Sequence, residues 1–192
     1  MFAIKYLLDN GNIKVVDKKG DISVLEYQVD YSVTPQTSIG AYFASKMNVR
    51  KRQALIQLSD NEYVTSSGAM QWTAGNVQAV ADVKGVGDLL GKAIKGSVTK
   101  ESAVKPKYRG NGILVLEPTY RHIILEDLDN WNGGIVLDDG LFLACDAKIQ
   151  QNVAMRSNLS SAVLGNEGLF NLKLNGSGIV VLESPVPREE LI

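Results

Sequence analysis

Gly110-Asn111-Gly112-Ile113-Leu114-Val115-Leu116-Glu117 returns near the other end of the chain as Gly176-Ser177-Gly178-Ile179-Val180-Val181-Leu182-Glu183, displaced by 66 residues. Upstream, Gly68-Ala69-Met70-Gln71-Trp72 with Asn76-Val77-Gln78 is echoed by Gly140-Leu141-Phe142-Leu143-Ala144 with Lys148-Ile149-Gln150, displaced by 72. Self-similarity at two near-equal shifts predicts a tandem duplication of one β unit. The units span about 49–117 and 118–183 of a single 1–192 domain, with an N-terminal β extension over 1–48 and, at 184–192, what reads as the opening of a further unit. The runs Ile-Leu-Val-Leu and Ile-Val-Val-Leu do not alternate with polar residues. That pattern predicts strands covered on both faces, as in a sandwich, a barrel or the centre of an oligomer.

The flanking sequence reads as short strands and turns. Apolar runs at 4–8, 13–16 and 22–29 are separated by Asn10-Gly11-Asn12 and Lys18-Lys19-Gly20-Asp21, whose glycine and asparagine supply turn conformations. Leu25, Tyr27, Val29 and Tyr31 recur at period two, predicting a half-buried strand through residue 31. Residues 40–52 read as strand and loop. Strands are expected at 54–58, 63–65 and 68–72, with turns at Asp60-Asn61 and Ser66-Ser67-Gly68, and later at 113–116, 122–125, 135–137 and 141–145. Asp138-Asp139-Gly140 predicts a tight hairpin joining the last two. The one helical stripe is Val86, Leu89, Leu90, Ala93 and Ile94, at i, i+3, i+4, i+7 and i+8. Gly85, Gly87, Gly91 and Gly96 interrupt it, each costing about 1 kcal/mol relative to alanine, so a short helical insertion is expected near 84–96.

Composition narrows the class. Twenty Lys plus Arg stand against 21 Asp plus Glu, with an isoelectric point of about 5.9, so no global attraction to nucleic acid or membrane is implied. Cys145 is the single cysteine and lies in the apolar run 141–145, which predicts a buried structural thiol and suits a reducing compartment. The first eight residues lack a basic leader and small-residue cleavage site, so they read as a strand and not an export signal, and the sequons at Asn158 and Asn175 carry little weight. No run approaches the roughly 18 apolar residues a spanning helix needs.

Ser67-Gly68-Ala69-Met70 followed by Gly75-Asn76-Val77, the glycine-rich 84–96 segment and the paired Gly-x-Gly-Ile-x-Val-Leu-Glu together resemble the mitochondrial biogenesis, or altered-inheritance-of-mitochondria, family, from about Val49 onward. The resemblance implies a mainly β, TRAP-like sandwich or barrel built from internal repeats, related in shape to the trp RNA-binding attenuation protein. The family has many bacterial members of unassigned function. Its motifs are structural glycines and strand residues, so no active-site residue is carried over. The N-terminus lacks the Arg- and Ser-rich character of a transit peptide.

Catalytic chemistry finds little support. His122, the single histidine, sits beside Arg121 at the start of an apolar strand, where a surface role is the plainer reading. One histidine and one cysteine cannot complete a zinc set within one chain, and no Gly-x-Ser-x-Gly elbow accompanies the serines. Asp127, Asp129, Asp138 and Asp139 read as solvated turn acids, because the twelfth position counted from Asp127 is Asp138 and not the glutamate of a calcium loop. Lys92 follows Gly91, but Ala93 stands where a nucleotide loop needs a hydroxyl. Neither enzyme, metal nor cofactor is expected.

Charge is unevenly spread: residues 46–109 carry 11 basic and 5 acidic side chains, residues 117–146 one basic and 7 acidic. Such blocks could meet within or between subunits. The leading expectation is a cytoplasmic, homo-oligomeric scaffold or binding module. The alternative is an anion-binding module for RNA or an acidic membrane surface, using Arg50, Lys51 and Arg52 with Lys92, Lys95 and Lys107. A variant of it uses the 86–94 stripe as an interfacial helix. No DNA partner is expected.

Overall fold

The computed structural model describes residues 7–80, 105–138, 140–155 and 170–191. The two apolar runs that open the sequence lie in β5 (Lys107–Leu116) and β11 (Ile179–Ser184), and both are covered on both faces. Leu114 and Leu116 enter one apolar cluster with Ile22, Ile56 and Leu125, while Ile113 and Val115 enter another with Leu25 and Leu55. In β11, Val181 joins the first cluster; Val180 and Leu182 join a third with Ile124, Phe142, Cys145, Leu172 and Leu174. Non-alternating apolar runs are therefore what a wall between two cores demands.

The wall is a curled eight-stranded sheet. Besides β5 and β11 it contains β1 (Ile13–Lys19), β2 (Ile22–Tyr27), β3 (Arg52–Thr65), β4 (Met70–Val80), β6 (His122–Asp127) and β8 (Phe142–Asp146), in the order β1-β2-β3-β8-β11-β6, with β4-β5 continuing from the other side of β3. The curl brings β1 beside β6, where Lys19 Nζ donates to the Leu125 carbonyl at 2.6 Å, so the sheet nearly closes into a barrel. A separate three-stranded sheet of β7 (Ile135–Leu137), β10 (Phe170–Asn175) and β9 (Gln150–Met155) packs over the third cluster and completes a sandwich on that side. The chain is mainly β, as expected from its sequence.

β3, β5 and β4 form one antiparallel trio and β6, β11 and β8 another. In the first, Met70 faces Leu116, Trp72 faces Val115 and Thr73 faces Leu114, with a bulge between Met70 and Trp72. In the second, Phe142 faces Leu182, Ala144 faces Val181 and Cys145 faces Val180, with the register shift falling between Val181 and Leu182. On the opposite edges Leu55 faces Val115 and Leu125 faces Val181. The glycines of the first motif serve close approach: a Cβ on Gly112 would lie 2.1 Å from the Ala74 carbonyl oxygen, and one on Gly110 2.1 Å from that of Asn76.

Several local expectations change. The Asp60-Asn61 turn does not interrupt the chain; β3 runs through it as one 14-residue strand with a bulge, Asp60 adopting φ 61° and its carboxylate accepting from Asn111 Nδ2 at 2.5 Å. β7 and β8 do not form the hairpin expected at Asp138-Asp139-Gly140, because β7 pairs with β10 and β8 with β3 and β11; Asp139 itself lies outside the described residues. β2 stops at Tyr27, leaving Val29 and Tyr31 exposed on a loop. Most consequential, the stretch read as strand and loop contains the helix α1 (Ser38–Lys46). A single-turn helix, α2 (Arg188–Leu191), follows β11. The expected strand at 4–8 lies partly, and the helical insertion at 84–96 wholly, outside the described residues.

Candidate functional site

α1 is positioned by a polar loop. Val29 N donates to Asn12 Oδ1 at 2.6 Å and Asn12 Nδ2 donates back to the Val29 carbonyl at 3.0 Å, fixing the exit from β2. Ser32 N and Ser32 Oγ both donate to Asp30 Oδ1, at 2.9 and 2.6 Å, an Asx-type turn that redirects the chain. The helix then starts after Pro35 and ends where Asn48 takes φ 61°, with Val49 N donating to the Ala44 carbonyl at 2.9 Å.

The orientation of this helix is the reverse of the usual one. Surface helices turn their large apolar residues inward. Here the small residues Ala41, Ala44 and Ser45 are the half-buried ones, facing a cleft of about 950 Å³ between α1, the 28–33 loop and the start of β3. Ile39, Tyr42, Phe43 and Met47, spaced i, i+3, i+4 and i+8, have 73%, 58%, 63% and 80% of their surfaces exposed; Ile39, Phe43 and Met47 stand outward, and Tyr42 lies at the edge, also lining the cleft. Tyr42 and Phe43 meet edge to face with ring centroids 5.5 Å apart, and Lys46 Nζ lies 5.2 Å from the Tyr42 ring. Off the helix, Tyr31 is 82% exposed, and Tyr120 lines the cleft.

Beneath the stripe the charges are matched. Lys51 Nζ bonds Asp30 Oδ1 at 2.5 Å and Ser32 Oγ at 2.8 Å, lies 5.8 Å from the Tyr120 ring, and Tyr120 Oη donates to Asp30 Oδ2. Desolvation works to raise the Asp30 carboxyl, but the donors from Lys51, Ser32 and Tyr120 outweigh it and hold the group far below the usual carboxylate range. The same bond to Asp30, with desolvation, raises the Tyr120 phenol.

The basic run of the sequence is therefore divided. Lys51 belongs to Asp30. Arg52 is buried and pairs with Glu26, its Nη2 2.9 Å from Oε2. Arg50 is half-buried, Nη1 donating to the Gln28 carbonyl at 3.0 Å beside the cleft. Lys107 stands apart on β5, 3.9 Å from Glu62, and Lys92 and Lys95 lie outside the described residues. The missed residues are Ile39, Tyr42, Phe43 and Met47; their helical spacing was present in the sequence, masked by Gly40 and two β-favouring aromatics.

Other reactive groups are locked into the fold. Burial pushes the Cys145 thiol up to about 12, while Gln151 Nε2 donates to its sulfur at 3.4 Å. His122, first in β6, is lowered by desolvation and by Arg52 nearby. Glu126 is buried; desolvation opposes its charge, but Arg188 Nε at 2.6 Å and Trp131 Nε1 at 3.3 Å hold the carboxyl below its ordinary value and fasten α2 to the barrel. Among the described residues no group of three or more His, Cys, Asp or Glu side chains is placed to hold a metal, and no helix is long and apolar enough to cross a membrane.

Fold and site together define a β-rich protein that displays an exposed apolar helix over a cleft. The family model for mitochondrial biogenesis AIM24 matches residues 44–190, and the chain belongs to that family. A crystal structure of a protein from Streptococcus pyogenes is similar in fold, with a TM-score of 0.52 and 24% identity, covering 71% of this chain and 60% of the solved one. The chain thus spans about 60% of that solved chain's length. No curated protein matches it. The family match begins within α1, so most of the helix and the loop before it precede the matched segment.

Proposed function

We propose that this protein is a non-catalytic docking module, in which a rigid β scaffold presents α1 and the cleft beneath it to a partner. The observation that carries this reading is the outward stripe Ile39, Tyr42, Phe43 and Met47 on a helix that buries none of its residues. Contiguous exposed apolar surface rimmed by polar groups marks interaction sites in folded proteins. The scaffold reading also draws on the matching registers of the β3-β5-β4 and β6-β11-β8 trios, which favour a duplicated unit, and on strand faces that would also suit self-association. A reducing compartment such as the cytoplasm suits the free, buried Cys145. The alternative anion-site reading keeps one observation in its favour, Arg50 beside the cleft; Lys51 and Arg52 are already paired with acids.

The test is binding of an amphiphilic fluorescent dye, anilinonaphthalene sulfonate, to the native protein. Bright emission that is lost in a Tyr42→Ser/Phe43→Ser variant with an unchanged melting temperature is expected. A native protein that leaves the dye dark refutes the docking reading. Light scattering at low and high salt separately tests self-association: a salt-resistant oligomer is expected, and a monomer at every salt concentration removes the oligomeric scaffold.

A further inference from the structure

We propose that the partner of α1 is an anionic phospholipid surface, an inference that rests on the docking reading above. The stripe would lie in the headgroup region with the helix axis parallel to the bilayer, and Lys46 would meet lipid phosphates. Three observations favour this occupant. The chemistry of the stripe is interfacial: Tyr42, a ring with a polar tip, stands edge to face with Phe43 and beside Ile39 and Met47, a mixture of amphipathic aromatic and apolar side chains that partitions at headgroup level.

Charge is the second. Residues 26–52 contain Lys46, Arg50, Lys51 and Arg52 against Glu26 and Asp30. The two acids are occupied by Arg52 and Lys51, so the positive excess rests on Lys46, exposed at the edge of the stripe, and Arg50, beside the cleft. A second copy using the same patch across a twofold axis would bring these like charges together. An anionic bilayer complements them, each basic residue adding to the attraction.

The third is the helix itself. Nine residues including Gly40, with no side chain buried, form a segment whose helicity gains little from packing. Partitioning of the outward stripe would supply the missing burial on the side that needs it, while Ala41, Ala44 and Ser45 leave the inward side free to ride over the cleft.

The experiment is flotation of the full chain with vesicles of phosphatidylcholine, with and without phosphatidylglycerol, at low and high salt. The wild type, an Ile39→Ser/Phe43→Ser variant and a Lys46→Glu variant are compared, and each is also sized by light scattering. Expected are binding only to vesicles containing phosphatidylglycerol, weakening with salt, and a loss of about tenfold or more in either variant with solution mass unchanged. Wild type that does not float with anionic vesicles, or variants that float as well as wild type, overturn the proposal. If vesicle binding is absent but the apolar variant lowers the solution mass, the patch belongs to a second copy. The lipid assignment then fails while the docking reading stands. If dye, vesicles and mass are all indifferent to the stripe, both readings fail.

Discussion

Asp30 gathers the polar half of the site around one carboxylate, which receives Lys51 Nζ, Ser32 N and Oγ, and Tyr120 Oη. Its folded pKa lies below the unfolded value of about 3.9. The stabilisation is therefore complete above that value and is lost as pH falls toward the folded one. A Lys51→Met variant removes the strongest donor, so its melting temperature should fall below that of wild type at pH 7, with the gap narrowing progressively below about pH 4. A gap that stays constant through the acid range would show that the carboxylate does not depend on Lys51. Arg52 illustrates a different limit of sequence reading. A run of three basic residues looks like one patch, yet strand alternation sends Arg52 inward to Glu26 and a loop brings Asp30 to Lys51. Such partners are set by tertiary approach across more than 20 positions, which local composition does not encode.

At the scale of elements, the strands were legible because burial on both faces leaves a direct mark: Ile113–Leu116 and Val180–Leu182 are apolar without interruption. Pairing was less legible. Asp138-Asp139-Gly140 has hairpin chemistry, but β7 finds its partner in β10, more than 30 residues away. α1 was hidden for a related reason: its periodic residues face water, so the segment has helical spacing without the polar outer face that normally identifies a surface helix. Gly40 weakens the helical signal further. An ideal Cβ at Gly40 meets nothing within 4 Å, so Gly40→Ala should raise helicity by circular dichroism and stabilise α1 by about 0.5–1 kcal/mol. Unchanged helicity would mean that α1 is already held by contacts its exposed side chains do not suggest.

For the whole molecule, β11 is the partition that both principal cores share, giving Val181 to the barrel and Val180 and Leu182 to the sandwich. Thermal unfolding should therefore be a single cooperative transition, with calorimetric and van't Hoff enthalpies equal. Leu182→Ala should lower stability by about 2–5 kcal/mol without splitting that transition. Two resolved transitions would show that barrel and sandwich fold independently. The echo at shifts of 66 and 72 fits this shared wall, because the same register recurs at Met70 opposite Leu116 and Phe142 opposite Leu182.

The burial of Cys145 gives the molecule a built-in clock. The chain's only thiol is wholly enclosed in β8, between β3 and β11, and its proton is held up to about 12. An alkylating reagent can reach it only while those strands are apart. The rate of labelling in native buffer thus counts openings of the barrel wall, one covalent mark for each molecule caught open, with no substitution needed to install the probe.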